Sequence, residues 1–122
     1  MFKMKRKFKI LLTRRLHDFA LTELRKRCEI TIHSGKIPMP KQKILEEIKD
    51  KDGLICFPYD IIDQEILDST NKLKTISTFS VGFDHIDINY AKKKKITIGY
   101  TPDFLTNATA ELTIFLILDL LK

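Results

Sequence analysis

The stretch Gly53-Leu54-Ile55-Cys56-Phe57 decides the fold. It is continuously apolar and is closed by Pro58, so it reads as a strand buried on both faces in the middle of a parallel sheet. Upstream, Phe8–Thr13 forms a first strand, and a helix follows from about Asp18 to Arg27 with Phe19, Leu21 and Leu24 among its apolar positions. In Glu29–His33, Ile30 and Ile32 alternate with polar neighbours, as expected near a sheet edge. Gly35, Pro38 and Pro40 make a loop, and Pro40 suits the first turn of a helix carrying Ile44, Leu45 and Ile48.

Downstream of the central strand, Asp63 is suited to cap a short helix that buries Ile66 and Leu67, because its carboxylate can accept from free first-turn amides. Leu73–Thr78 is a fourth strand, Asp87 caps a helix through Tyr90 and Ala91, and Ile96–Gly99 is a fifth strand. This alternation predicts an α/β fold, a five-stranded parallel sheet with helices on both faces and right-handed connections.

At 122 residues the chain fits one core. Its formal charge of +6 raises nucleic acid as a partner. The basic groups, Lys3, Lys5, Arg6, Lys7, Lys9 and Lys92 to Lys95, sit within no recognisable nucleic-acid motif, so solvated lysine surface is the reading and no nucleic acid is expected. Cys28 and Cys56 lie too far apart for a redox pair and read as reduced, small apolar side chains. No apolar signal segment follows the basic N-terminus, which makes a cytoplasmic protein the expectation. No His, Cys or carboxylate cluster has metal-ligand spacing.

The last segment has its own message. After Pro102, Thr106 or Asn107 can cap a helix, with Glu111 favouring the positive end of its dipole. From Leu112 to Leu121 only Thr113 and Asp119 interrupt the apolar residues. A helix apolar all round has to be covered all round, yet nothing remains in the sequence to cover it. The run is far shorter than the roughly 20 residues that span a bilayer, so no membrane role is expected. A partner surface, or self-association through Leu112–Leu121, is expected instead.

Two stretches carry a family resemblance. Leu73-Lys74-Thr75-Ile76-Ser77-Thr78-Phe79-Ser80-Val81-Gly82-Phe83-Asp84-His85-Ile86-Asp87 and Gly99-Tyr100-Thr101-Pro102-Asp103-Phe104-Leu105-Thr106-Asn107-Ala108-Thr109-Ala110-Glu111-Leu112 closely resemble D-2-hydroxyacid dehydrogenases, in the glyoxylate/hydroxypyruvate reductase branch. The similarity runs from about Lys9 onward. It implies a flavodoxin-like substrate-binding domain over residues 1–105, with residues 106–122 starting the helix that links it to a dinucleotide-binding domain. It also implies oxidoreductase chemistry on small 2-keto or 2-hydroxy acids with NADP or NAD. In such enzymes the linking helix is wrapped by the second domain.

The resemblance makes Ser80-Val81-Gly82 the substrate-carboxylate loop. Read from the residues alone, the loop follows a strand at its C-terminal end, where open α/β sheets place ligands. Gly82 lets the backbone turn tightly, so that successive amides can point at one anion without a Cβ in the way; an ordinary βα turn is the plainer alternative. Val81 and Gly82 are the expected amide donors, with Ser80 shaping the loop. Thr109 matches a position near the nicotinamide, although helix capping explains a threonine there equally well. Phe57 and Tyr59 stand where they can wall the substrate pocket, or simply pack. His85 adjoins the loop. Lys94-Lys95 replaces a glycine-containing turn often found in the family, and Asp103 replaces a frequent glycine.

The sequence lacks what the chemistry of the whole family needs. Its four glycines, Gly35, Gly53, Gly82 and Gly99, cannot form the closely spaced set that grips a pyrophosphate. The family's arginine, glutamate and histidine acid/base have no counterparts here, and His17, His33 and His85 do not match that histidine. A partial enzyme, inactive alone, is therefore the expectation. The alternative is a non-catalytic small-acid-binding or interaction module.

Overall fold

The structure, a computed structural model, describes residues 6–121. Its elements are β1 (Phe8–Leu12), α1 (Asp18–Arg25), β2 (Cys28–Ile32), α2 (Lys41–Glu47, continued by a 3₁₀ turn, Ile48–Asp50), β3 (Gly53–Cys56), α3 (Gln64–Asp68), β4 (Thr75–Thr78), α4 (Ile88–Lys93), β5 (Thr97–Gly99) and α5 (Thr106–Leu120). All strands pair in parallel, in the order β2-β1-β3-β4-β5. The expected central and edge strands are thus β3 and β2. The expected ends shift by one or two residues: β1 stops at Leu12, β2 begins at Cys28, and β4 and β5 begin at Thr75 and Thr97.

Register builds the larger core. Leu11, Leu54, Ile76 and Ile98 stand side by side across the sheet, and this row packs with Ile44 and Ile48, Ile66 and Leu67, and Ala91 from α2, its 3₁₀ turn, α3 and α4. On the opposite face, Ile10 and Leu12 meet Leu21 of α1, joined by Ile30, Ile32 and Ile55. Helices therefore lie on both faces but unequally: three on one, and α1 alone over the β2–β1–β3 part of the other. Thr75 and Ser77 of β4 and Thr97 of β5 remain exposed. Gly53 is closely packed: a Cβ there would lie 2.7 Å from Ile10 Cδ1 and would push that side-chain end aside.

Asp63 and Asp87 cap their helices as expected, accepting from the amides of Ile66 (3.2 Å) and Tyr90 (2.9 Å). Other expectations need correction. Pro40 stands just before α2 rather than inside its first turn, with an extended ψ of 137°. Phe19 is 74% exposed; Leu21 is the residue of α1 that reaches the core. Neither Thr106 nor Asn107 caps α5, which starts at Thr106 after an uncapped Leu105. Glu111 lies beyond the first turn of α5, where the dipole effect has faded. Of the two thiols, Cys56 is buried and Cys28 only half-buried.

Eight of the nineteen described lysines and arginines form ion pairs. Arg6 lies 3.7 Å from Asp52, Lys9 lies 3.1 Å from Asp50, and Lys94 donates to the Leu67 carbonyl at 2.7 Å. Hydrogen bonds from Lys51 and Lys9 hold the Asp50 carboxyl down at about 2. Lys3 and Lys5 lie outside the described residues. No helix among the described residues is long and apolar enough to cross a membrane.

Candidate substrate cleft

Strand order reverses direction between β1 and β3, and in open α/β sheets the crevice at the carboxyl ends of such strands is where ligands bind. Three segments leave the sheet there: Thr13 and Arg14 after β1, Phe57 to Asp60 after β3, and Phe79 to Gly82 after β4.

A buried brace holds the first two together. Asp60 is 2% exposed, and its Oδ2 accepts from Thr13 Oγ1 (2.5 Å) and from the Phe57 amide (2.8 Å). Its other oxygen has no partner. Phe57 is almost covered, stacked on Tyr59 with centroids 5.9 Å apart and tilted against Phe79 at 5.5 Å.

The third segment is held by a hydroxyl chain. Ser80 Oγ donates to the Gly82 carbonyl (2.7 Å), so its only proton is committed. Thr78 Oγ1 must then donate to Ser80 Oγ (2.7 Å), and His85 Nε2 must donate to Thr78 Oγ1 (2.8 Å). Hydrogen bonding thereby fixes the proton of His85 on Nε2. Burial lowers the His85 pKa, outweighing the raising effects of Asp60 and Asp84, which agrees with a neutral ring. Thr101 completes the support, donating to the Ser80 carbonyl from its amide and its hydroxyl, both at 2.9 Å.

With the Ser80 and Gly82 carbonyls and the Ser80 hydroxyl engaged, the amides of Val81 and Gly82 make no hydrogen bond among the described residues. Both residues are exposed. The sequence argument for Gly82 needs revision, because no glycine adopts a positive φ and a Cβ on Gly82 would meet nothing within 4 Å. Neither a left-handed backbone nor a crowding neighbour demands glycine there.

The sequence-predicted residues divide between two hollows. Val81 and Thr109 share one of about 540 Å³, floored by Leu105, Ala110 and Ile114. Phe57 lines another of about 440 Å³ with Phe79 and Arg14. Thr109 caps nothing: its amide is already inside α5, donating to the Leu105 carbonyl at 3.0 Å. Sequence reasoning missed Asp60, Thr13 and Thr78, whose partners are set by the fold, and also Arg14. Only the Pro58-Tyr59-Asp60 turn offered a signal for one of them.

Helix α5 stands apart. None of its residues is buried, and Leu112, Ile114, Phe115 and Leu118 are each more than half exposed. Fully burying an aliphatic or aromatic side chain stabilises by about 1.5–3 kcal/mol, so these four, each about three-fifths exposed, together forgo roughly 4–7 kcal/mol.

Residues 10–115 match the catalytic domain of the D-isomer specific 2-hydroxyacid dehydrogenases. The chain belongs to this family. It is 44% identical to a glyoxylate reductase of Thermofilum pendens over 90% of its own length and 33% of the relative's. Among solved structures, the TT0316 protein from Thermus thermophilus superposes with a TM-score of 0.82 at 40% identity, over 90% of this chain and 35% of that one. A D-lactate dehydrogenase from Aquifex aeolicus, solved with NAD and lactic acid, matches with a TM-score of 0.73 at 31% identity, over 90% and 32%. The chain thus spans about a third of the length of the dehydrogenases it matches.

The described residues do not form the dinucleotide grip of this enzyme class. Its glycines are isolated, and α5 is entered through Leu105 without a glycine turn or a side-chain cap. Among the described residues no group of three or more His, Cys, Asp or Glu is arranged for a metal ion. Cys56 offers no nucleophile, since burial pushes its thiol up to about 12.

Proposed function

We propose that this chain is the substrate-binding half of an NAD- or NADP-dependent reductase that interconverts small 2-keto and 2-hydroxy acids, with glyoxylate and hydroxypyruvate as its foremost substrates. The observation that carries the reading is the pair of unengaged amides at Val81 and Gly82, held at the end of β4 by the His85–Thr78–Ser80 chain. Two unengaged N–H groups on adjacent residues of a hydrogen-bonded loop suit a carboxylate, which has lone pairs for both. Residues 1–105 form the acid-binding body, Phe57 walls the pocket, and residues 106–122 lead towards the cofactor side, with Thr109 facing the hollow it shares with Val81. Hydride transfer needs a cofactor and a proton donor held against the keto carbon, and these residues supply neither.

Titration of the labelled chain with glyoxylate should move the Val81 and Gly82 amide signals in a saturable way. The chain alone should reduce neither glyoxylate nor hydroxypyruvate with NADH or NADPH. Undisturbed loop amides at high glyoxylate, or turnover above a buffer blank, would overturn the reading.

The uncovered α5 favours a second reading, a module that works through association. Here the double variant Ile114→Asp, Leu118→Asp should convert a self-associating chain to a monomer by light scattering. A wild-type chain that is already monomeric at high concentration removes this reading.

A further inference from the structure

The hollow at the β1/β3 reversal contains a cation that the proposed carboxylate loop does not use. Arg14 follows β1 directly, its guanidinium carbon 5.7 Å from the centroid of the Phe57 ring and its Nη1 donating to the Tyr59 hydroxyl at 3.3 Å. Neither partner is a carboxylate. Among the ion pairs of the described residues Arg14 has none, whereas its neighbour Arg15 is paired with Asp18 at 2.5 Å. The buried carboxylate Asp60 makes no ion pair with Arg14: its Oδ2 is committed to Thr13 and Phe57, and its Oδ1 has no hydrogen-bond partner. Arg14 is therefore a positive charge held over an aromatic ring with most of its edge donors free. That planar fork matches a carboxylate or a phosphate in a bidentate manner.

Location ties this charge to the acid-binding loop. Phe57 touches Arg14 on one side and Phe79 on the other, and Phe79 immediately precedes Ser80. The three residues line the same hollow of about 440 Å³, within the size range of pockets for small ligands. We propose that Arg14 provides a second anion site in this cleft, so that the cleft favours 2-keto acids bearing a second acidic group, a carboxylate or phosphate monoester, at the end away from the keto carbon. The proposal rests on the reading of Ser80–Gly82 as the primary carboxylate loop.

The test uses the whole chain, nitrogen-15 labelled, at constant ionic strength, with 2-oxoglutarate and 2-oxobutyrate as probes and Arg14→Met as the variant. Because Arg14 is exposed, the variant should fold, and unchanged signals from β2 and α4 verify that it has. 2-Oxoglutarate should shift Val81, Gly82 and the Arg14 Nε–H, and should bind about tenfold more tightly than 2-oxobutyrate, the size expected of a charge-assisted hydrogen bond. Arg14→Met should erase that advantage while leaving 2-oxobutyrate unaffected. Equal affinities in the wild type, or equal losses for both acids in the variant, would overturn the proposal. If neither keto acid moves Val81 and Gly82, the loop reading fails, and inorganic phosphate then tests Arg14 separately. A saturable shift at its Nε–H that vanishes in Arg14→Met upholds the anion site, and a flat titration removes it.

Discussion

Helix α3 has five residues and buries two of them completely, Ile66 and Leu67, whereas α5 has fifteen and buries none. α5 is the more apolar of the two, so apolar content did not decide burial. The difference lies in what each helix meets: α3 lies against the Leu11–Leu54–Ile76 face of the sheet, while α5 follows the last strand and finds no layer to join. An apolar side chain gains free energy only when water is removed from it, which requires a second surface.

That contrast makes its strongest prediction for truncations. Leu54→Ala, in the central strand, should cost about 2–5 kcal/mol in denaturant unfolding, while Leu116→Ala in α5 should stay within about 0.5 kcal/mol. Comparable losses at the two sites would dissolve the distinction between body and helix.

The brace under the cleft comes next. Asp60→Ala leaves Thr13 Oγ1 and the Phe57 amide without their acceptor, and a loss of about 1–3 kcal/mol is expected. A neutral substitution would mean that the two strand ends are not tied through this carboxylate.

Lys95 adopts φ 59°, a left-handed conformation that favours glycine. Lys95→Gly should raise the unfolding midpoint, by a gain of about 0.5–1 kcal/mol, the strain relieved less the entropy glycine loses. Destabilisation by this change would show that the turn before β5 depends on the lysine side chain.

The smallest effect concerns pH. Burial lowers the His85 pKa, so the folded state binds this proton less readily than the unfolded chain. Its contribution is therefore fully present above about pH 6.5 and is lost as pH falls below that value. The slope of stability between about pH 7 and pH 5 should be shallower in His85→Asn than in the wild type. An unchanged slope would detach His85 from the loop.

Much of the body was legible because its signals are local. The unbroken run Gly53–Phe57 marks the central strand, alternation in Glu29–His33 marks an edge, and Asp63 and Asp87 sit one residue before helices whose first amides they cap. The two departures at Lys95 and Asp103, read as replacements of family glycines, fall on the two positive-φ non-glycine residues of the described chain. The candidate site was only half legible. Ser80, Val81 and Gly82 could be named from the family resemblance and their place after a strand, but the turn itself does not demand glycine at Gly82, since its φ is not positive and a Cβ there would meet nothing within 4 Å.

The sequence by itself determined the α/β alternation, the family, and an apolar terminal helix unable to satisfy itself, because periodicity and short motifs act over a few neighbouring residues. Only the tertiary structure decided that Thr13 meets Asp60 across 47 positions, that the His85 proton is placed through Thr78, and that Arg14 lies over Phe57 without a counter-charge. Those pairings depend on which strand ends the parallel sheet brings side by side, and no local pattern of residues records that order.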